Sequence, residues 1–333
     1  MPTFIGLDLA WTTKNESGIC WLEGDSRENL HCTRLEVAPR GTESLAGEVA
    51  AAKPAVVTVD APLVYTPQRW ADKEISKIFG RYKAGAHSSH AAVRKGWTAG
   101  IDLGQALNAR GFTTNPKPML HDDRRVPAVV EVFPHPIHVR LFGLQERIPY
   151  KKKQQRSWEF CQRAMRQYQR HLRNLISKEA PGILEHPGVQ RRLDPAVTES
   201  LIGVAYKRLD DALDGLTCAI SAWMMWNQPE RWEGIGDENG CIVVPRDLDW
   251  TTSERSQSQA KPVQEPPVSY RASIFPREQP PELRSDPEWS VKRIQGGLDI
   301  KVSSLDGSSS WEIRVRLEGD DLSRVVTVVE RLE

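Results

Sequence analysis

The sequence predicts an α/β protein in which a mixed β-sheet carries helices on both faces, followed by a small C-terminal module. Short apolar runs rich in β-branched residues, typical of buried strands, recur through the first 250 residues between segments with helical spacing. Three of these runs precede the first helix, which predicts an antiparallel meander followed by strand–helix units with parallel pairing. A proline-rich stretch after residue 250 predicts a domain boundary.

The first three strands are predicted at residues 3–10, 17–23 and 29–37, because apolar runs there are joined by turns rich in Gly, Asp and Asn. A helix over 42–52 follows, and the run AVVTVDA predicts a buried strand at 55–61. One more strand is predicted at 127–133. The remaining helices are predicted at 67–80, 100–110, 155–179, 195–206 (with Asp194 as N-cap and Pro195 in the first turn) and 209–226. This order of elements matches the ribonuclease H-like fold.

Residues 251–288 contain seven prolines among mostly polar residues, which predicts a flexible linker between a domain at 1–250 and a module at 289–333. Apolar residues alternate on either side of a turn at 306–310 and predict a β-hairpin. A helix is predicted to follow it, capped by Asp320 or Asp321, from the spacing of Leu322, Val325, Val326, Val329 and Leu332. A β-β-α module this small rarely folds stably alone, so we expect it to form a homodimer or to dock on a partner.

The composition is that of an ordinary globular protein, with 39% hydrophobic residues, 27% charged residues and a net charge of +1. No run of about 18 apolar residues predicts a membrane span, and the N-terminus lacks the basic and apolar regions of a secretory signal. The five cysteines form no CxxC motif, and their odd number does not suit a disulfide framework. We therefore expect a cytoplasmic protein with reduced thiols and no membrane partner.

Three predicted strands each carry one carboxylate where an apolar residue would pack better: Asp8, Asp60 and Glu131. A buried carboxylate is costly unless a cation, a proton or a metal ion accompanies it. On the last predicted helix, Asp211 and Asp214 are three residues apart and share a face, where two like charges are destabilising without a cation. Carboxylates from several elements are the ligands that Mg²⁺ or Mn²⁺ prefers, so we expect a metal site here.

A second feature is a basic segment, residues 147–173, which contains nine basic residues and a single acidic residue, Glu159. Within helix 155–179, apolar residues from Trp158 to Leu175 form one stripe and arginines form another. A row of arginines suits contact with the phosphates of nucleic acid, and a solvated helix face is the alternative. The candidate nucleic-acid contacts are Lys151, Lys152, Arg156, Arg163, Arg166 and Arg170, together with Arg69, for which a surface ion pair is the alternative.

The sequence resembles a family of predicted ribonuclease H-like nucleases of unknown function in five motifs that occur in the same order. These are Gly6-Leu7-Asp8, Val59-Asp60-Ala61-Pro62, Glu131-Val132-Phe133-Pro134, Tyr150-Lys151 and Asp210-Asp211-Ala212-Leu213-Asp214. The last motif also resembles the final helix of RuvC-type resolvases, except that glycine at 215 stands where the resolvase pattern has alanine. The resemblance extends over about residues 3–245.

The resemblance implies that Asp8 is the central metal ligand, that Asp60 is the second acid, and that Asp211 and Asp214 are the helical pair. Glu131 lies in the Glu-Val-hydrophobic-Pro motif of that family, where it either joins the catalytic set or orients Lys151 or a backbone turn. The metal-ligand set is therefore Asp8, Asp60, Asp211 and Asp214, and the catalytic set adds Glu131.

These features together predict that the domain at 1–250 is a metal-dependent nuclease holding one or two Mg²⁺ or Mn²⁺ ions. The fold resemblance implies hydrolysis of a phosphodiester that leaves a 3′-hydroxyl and a 5′-phosphate. Two alternatives remain at this point. One is a catalytically inactive module that binds nucleic acid or protein. The other is an actin-like ATPase, since residues 10–13 after Asp8 resemble the first phosphate loop of that class.

Overall fold

The structure is a computed structural model, and the residues it describes with their side chains are 1–12, 15–121, 123 and 125–247. Beyond them, the backbone of four strands is described between residues 288 and 332. The chain divides into two compact units, Met1–Ser269 and Tyr270–Glu333. The predicted linker at 251–288 lies outside the described residues except for Glu288, the first residue of a strand.

Seven strands form the sheet of the first unit: β1 (Thr3–Asp8), β2 (Glu16–Glu23), β3 (His31–Pro39), β4 (Val56–Val59), β5 (Ala128–Val132), β6 (Trp232–Asp237) and β7 (Gly240–Pro245). In space they follow the order β3-β2-β1-β4-β5-β7-β6. β1 pairs antiparallel with β2 and parallel with β4, and β5 pairs parallel with β4 and β7. The prediction of a mixed sheet that begins with an antiparallel meander is confirmed.

Ten α-helices are described in the first unit: α1 (Thr42–Ala52), α2 (Ala71–Phe79), α3 (Ser89–Arg94), α4 (Ala99–Asn108), α5 (Lys117–Leu120), α6 (Pro134–Leu141), α7 (Trp158–Glu179), α8 (Pro187–Arg192), α9 (Pro195–Thr198) and α10 (Gly203–Asn227). Short 3₁₀ turns lie at Gly80–Tyr82, Pro181–Glu185 and Pro229–Arg231. No helix in this part of the chain is long and apolar enough to cross a membrane.

Successive side chains of the central strands point to opposite faces of the sheet. Both faces are apolar, and helices pack on each of them. Phe4 belongs to the core cluster that includes buried residues of α7 and α10, such as Met165 and Leu216. The next residue, Ile5, belongs to the opposite cluster, which is closed by α1 and α4. Strands β4 and β5 divide their residues between the two clusters in the same way. The short β-branched runs of the sequence are therefore buried on both sides.

Helix α10 packs unusually close to the sheet because three glycines line the contact. A Cβ added at Gly6 would overlap the backbone of Ala219, and one at Gly18 would overlap the carbonyl of Asp211. On the helix side, a Cβ at Gly215 would lie 2.9 Å from the carbonyl carbon of Gly18. Alanine, which the resolvase pattern has at 215, would therefore force the helix away from β2. This close contact brings the acidic turn of α10 against the end of β1.

The prediction of one helix over residues 195–206 is wrong in its length. Asp194 caps α9 as predicted, with its side chain accepting from the Ala196 amide, but α9 ends at Thr198. Ile202 is extended and Gly203 has a φ of +56°, so the chain turns there before α10 begins. The last helix consequently begins at residue 203, six residues before the predicted start at 209.

The second unit contains a four-stranded antiparallel sheet in the order β11-β10-β9-β8, with β8 (Glu288–Ile294), β9 (Gly297–Ser303), β10 (Ser310–Leu317) and β11 (Val325–Leu332). The predicted hairpin is present as β9 and β10. The predicted C-terminal helix is wrong, because residues 325–332 form a strand paired with β10. The run Val-Val-Thr-Val-Val is rich in β-branched residues, whose strand preference outweighed the helical spacing. The proposed caps Asp320 and Asp321, and Leu322, lie outside the described residues.

Candidate metal centre

Two of the predicted acids lie side by side at the carboxyl ends of adjacent strands. Asp8 is the last residue of β1, and Asp60 directly follows β4. The strands run parallel with Leu7 beside Val59, and the Asp60 amide donates to the Leu7 carbonyl at 2.8 Å. Ligand sites of open α/β sheets lie at this edge.

A third carboxylate reaches the same point from α10. One oxygen from each of Asp8, Asp60 and Asp214 can be chosen so that all three lie within 4.8 Å of one another. Asp214 is fully buried, whereas Asp8 and Asp60 are partly exposed. The three residues, called the acidic centre below, therefore form a site that is anchored in the core and open on one side.

Lys151 and two tyrosines hold the buried carboxylate of Asp214 in place. The Lys151 ammonium lies 2.8 Å from Asp214 Oδ2. The hydroxyls of Tyr150 and Tyr168 donate to Asp214 Oδ1 at 2.8 and 3.1 Å. The two phenol rings are stacked with centroids 4.7 Å apart, and Tyr168 also shares a hydrogen bond of 2.6 Å with the hydroxyl of Thr217. One oxygen of Asp214 is thus held by the ammonium of Lys151, and the other is held by the hydroxyls of Tyr150 and Tyr168.

Two further carboxylates of α10 lie next to the acidic centre. Asp211 forms an ion pair with Lys207 and interacts with Asp8. It is therefore adjacent to the three converging carboxylates without being one of them. Asp210 is buried, and its Oδ1 has no hydrogen-bond partner among the described residues. The sequence did not single out Asp210, although it is the first residue of the Asp-Asp-Ala-Leu-Asp motif.

The electrostatics of this region favour binding of an additional cation. Burial raises the pKa of Asp8, and burial together with the neighbouring Asp8 raises the pKa of Asp60 well above its ordinary range. Burial and neighbouring carboxylates raise the pKa of Asp210 to about 7 and that of Asp211 to about 8. Burial alone would also raise the pKa of Asp214, but Lys151 and the hydrogen bonds of Lys151 and Tyr150 hold it below its ordinary value.

The donor set fits a divalent metal ion. Five carboxylates, Asp8, Asp60, Asp210, Asp211 and Asp214, interact with two ammonium groups, Lys151 and Lys207. Hard divalent cations take oxygen ligands, and the three converging carboxylates supply them. The unpartnered Oδ1 of Asp210 also indicates that the carboxylates here are not fully satisfied by the protein itself.

Glu131 takes part in a different cluster. Its carboxylate accepts two hydrogen bonds from Arg69, at 2.6 and 3.0 Å, and a third from the Leu63 amide. Arg69 also donates twice to Asp72 Oδ1 and once to the Val64 carbonyl. The side chain of Arg69 is 0% exposed, so the predicted phosphate contact does not match its placement. Arg69, Asp72 and Glu131, called the Arg69 cluster below, hold the turn after β4, and holding a backbone turn was one of the roles considered for Glu131.

The predicted nucleic-acid contacts do not form one surface. Lys151 lies in the acidic centre, and Lys152 is exposed but donates to the carbonyls of Lys153 and Arg156. Arg156 is buried and donates to the carbonyls of Pro149 and Lys151, so it braces the segment that carries Lys151. The exposed part of the set belongs to α7, where Arg163, Arg170 and Arg173 are exposed and Arg166 is half-buried. These four are called the arginine row below.

Sequence reasoning missed the residues that position Asp214. Tyr168 was counted as one member of the apolar stripe of α7, but its hydroxyl contacts Asp214, Thr217 and the Leu213 carbonyl. A buried tyrosine hydroxyl needs a hydrogen-bond partner, and that requirement was the only signal available in the sequence. Tyr150 was noted within the Tyr-Lys motif without a role.

The sequence of residues 6–235 matches the family described as "Protein of unknown function (DUF429)". Among solved structures, the chain is similar to RuvC from Thermus thermophilus, at 14% sequence identity and a TM-score of 0.25. That similarity covers 66% of this chain and 96% of the RuvC chain. No curated protein sequence matches the chain.

Proposed function

The chain belongs to the DUF429 family, whose match extends over residues 6–235, and we propose that it is a divalent-metal-dependent nuclease with a ribonuclease H-like fold. The observation that carries the proposal is the acidic centre at the carboxyl ends of β1 and β4. Asp8, Asp60 and Asp214 converge there with more carboxylates than ammonium groups around them. Asp8 and Asp60 are partly exposed, so the centre is open to solvent on one side.

Asp8, Asp60 and Asp214 would hold Mg²⁺ or Mn²⁺, with Asp211 close enough to Asp8 to assist. When bound, such an ion stabilises negative charge on a phosphodiester during its hydrolysis. The chain's own residues supply the alignment. Tyr150 and Tyr168 orient the Asp214 carboxylate through Oδ1, and Lys151 contacts Oδ2 from the opposite side. Ligands fixed in this way bind an ion without reorganising.

The arginine row of α7 supports nucleic acid as the substrate. Its exposed guanidinium groups offer contacts to a phosphate backbone, and such contacts supply most of the affinity of non-specific binding. Arg163 is paired with Glu159 at 2.9 Å, but its side chain remains half exposed. Among the predicted basic contacts in the described residues, those of the arginine row lie along one helix and remain at least partly exposed.

The test is cleavage of single- and double-stranded DNA and RNA in Mg²⁺, in Mn²⁺ and in EDTA. We expect cleavage that EDTA abolishes and that Asp8→Asn lowers by about 1000-fold or more, since metal stabilisation is worth several kcal/mol and each 1.36 kcal/mol is tenfold. The matched control is Asp25→Asn. Asp25 lies in the turn after Glu23, which pairs with Thr3 at the other end of β1.

Calorimetric titration with Mn²⁺ separates this proposal from an inactive binding module. The proposal requires Mn²⁺ binding by the wild type and by Asp25→Asn, and its loss or strong weakening in Asp8→Asn. Binding of nucleic acid without any metal-dependent cleavage, or full activity in Asp8→Asn, would overturn it.

A further inference from the structure

Two exposed indole rings follow the strands that carry the acidic centre and have no role in the proposed metal site. Trp11 and Trp97 are 38% and 39% exposed, although large aromatic residues are usually more buried. Their ring centroids lie 5.5 Å apart with an interplanar angle of 57°. The Lys95 ammonium lies 4.7 Å from the Trp97 ring. These two rings are called the indole pair below.

Both rings belong to segments that adjoin the carboxylates of the proposed metal site, one along the chain and one through a packed turn. Trp11 follows Asp8 by three residues at the end of β1. Trp97 immediately precedes the first turn of α4, and that turn packs on the segment after Asp60, since a Cβ at Gly100 would lie only 2.5 Å from the Pro62 carbonyl oxygen. The indole pair therefore joins the segment after β1 to a turn that packs on the segment after β4, and these two strands present Asp8 and Asp60.

The backbone around Trp97 is held rigidly by the end of α3. Gly96 has a φ of +73°, a left-handed conformation that glycine adopts without strain. The Gly96 amide donates to the Val93 carbonyl and the Trp97 amide donates to the Ala92 carbonyl. This is the Schellman pattern of a helix C-terminus, so the exposed position of Trp97 is fixed by a capped turn.

The chemistry of this surface fits an unpaired nucleobase. Exposed aromatic faces stack on bases of any sequence, and neighbouring cations contact the phosphates of the same strand. Here Arg94 and Lys95 supply exposed positive charge immediately before Trp97. A base inside a duplex cannot reach an indole face without leaving its stack, so the surface distinguishes unpaired from paired strands.

We propose that the indole pair is a stacking platform for an unpaired base of single-stranded nucleic acid entering the acidic centre. This inference rests on the proposed function for its substrate class and deepens it. The platform sets a preference for single-stranded substrate, or for an unpaired base within a duplex, next to the bond that is cleaved.

The test is binding of labelled single-stranded DNA, single-stranded RNA and blunt duplex DNA in EDTA, measured by fluorescence anisotropy. Trp97→Leu should weaken single-strand affinity about 5- to 150-fold, since stacking is worth ~1–3 kcal/mol per base. Trp97→Phe, which keeps an aromatic face, should restore most of the affinity. Duplex affinity should change less than twofold. The matched control is Trp70→Leu, because Trp70 is 42% exposed and its Nε1 donates to Asp237 instead.

The design separates failure of the platform from failure of the proposed function, because cleavage in Mn²⁺ is measured on the same variants. If the wild type cleaves but Trp97→Leu binds single strands normally, or loses duplex and single-strand affinity equally, the platform is overturned alone. If no metal-dependent cleavage occurs but Trp97→Leu loses single-strand affinity selectively, the platform stands and the nuclease proposal falls. A wild-type chain that binds none of the three nucleic acids overturns both.

Discussion

The first unit contains two buried charge clusters that differ in how completely the protein satisfies them. In the Arg69 cluster, one guanidinium makes paired hydrogen bonds with Glu131, contacts Asp72 and the Val64 carbonyl, and is itself fully buried. Around the acidic centre, five carboxylates interact with two lysines, and the buried Oδ1 of Asp210 has no hydrogen-bond partner among the described residues. The acidic centre lies at the ends of β1 and β4 and the Arg69 cluster at the ends of β4 and β5, so position at this edge of the sheet does not explain the difference.

The difference shows how a structural ionic cluster can be distinguished from a binding site. A buried charge that serves structure has its hydrogen-bonding partners within the protein, as Arg69 does. A cluster that leaves a buried carboxylate oxygen without a partner, as at Asp210, is a candidate cation site. Sequence reasoning grouped Glu131 with Asp8 and Asp60 because all three are acids in buried strands, and the structure divides them by the cations that accompany them.

The largest expected effect on stability comes from breaking the satisfied cluster. Arg69→Met leaves Glu131 and Asp72 without their cation, and removal of one partner from a buried ion pair costs about 3–5 kcal/mol. We expect a decrease of this size in the free energy of unfolding, measured by urea denaturation. The control is Arg125→Met, because Arg125 pairs with Asp123 on the surface, where its side chain is 86% exposed and the decrease should be far smaller than for Arg69→Met. Equal decreases in the two variants would contradict the comparison.

An intermediate effect is expected from pH and metal at the acidic centre. The pKa of Asp211 is about 8 in the folded chain and lower when unfolded, so the folded state binds more protons. In EDTA, its contribution to the free energy of unfolding is therefore present at about pH 4 and is lost as pH rises toward 8. Mn²⁺ at about 100 times its dissociation constant should restore about 2.7 kcal/mol at pH 8.

Asp8→Asn is the variant that separates the two parts of this prediction. Thermal unfolding in EDTA should show it to be at least as stable as the wild type at pH 8, because one repelling carboxylate is gone. It should also lose the stabilisation by Mn²⁺. If Asp8→Asn does not gain stability relative to the wild type between pH 5 and pH 8 in EDTA, or if Mn²⁺ stabilisation persists in Asp8→Asn, the centre is not an unsatisfied cluster.

The smallest effect is expected where the charges are exposed. Changing Arg163, Arg166 and Arg170 together to Glu should weaken nucleic-acid binding and lower the log–log salt slope by about 0.7 to 0.9 for each phosphate that is no longer neutralised. Folding stability should hardly change, in contrast to Arg69→Met. A charge-matched control is the triple change of the exposed Arg27, Lys53 and Lys77 to Glu. If both triple variants reduce the slope equally, the arginine row contributes only net charge.

The elements with local signals could be predicted from the sequence. The first five strands, α1 and α7 follow from short apolar runs or from a 3.6-residue period, and both signals are contained within the element itself. Asp8, Asp60 and Asp214 could be singled out because an acid in a buried strand, or two acids on one helical face, conflicts with packing. The structure brings these three together.

The remaining features depend on contacts between distant segments, which no local pattern contains. Arg69 looks like a surface residue on a helix until Glu131 is placed beside it, 62 residues later. Lys151 looks like one member of a basic run, yet its partner is Asp214 on another element. The prediction for the C-terminal strand failed for a different reason, because valines at helical spacing also fit a strand when a neighbour such as β10 is available.

The glycine-lined contact of α10 with β1 and β2 has a consequence for when the acidic centre can form during synthesis of the chain. Asp8 and Asp60 leave the ribosome early, but Asp214 follows Asp8 by 206 residues. At about 5–20 residues per second, roughly 10–40 s pass between their appearance. Helix α10 can pack on Gly6 and Gly18 only after that interval. A chain that ends before Asp214 therefore has two of the three converging carboxylates and no complete centre. The last helix therefore completes the acidic centre only in chains that extend through Asp214.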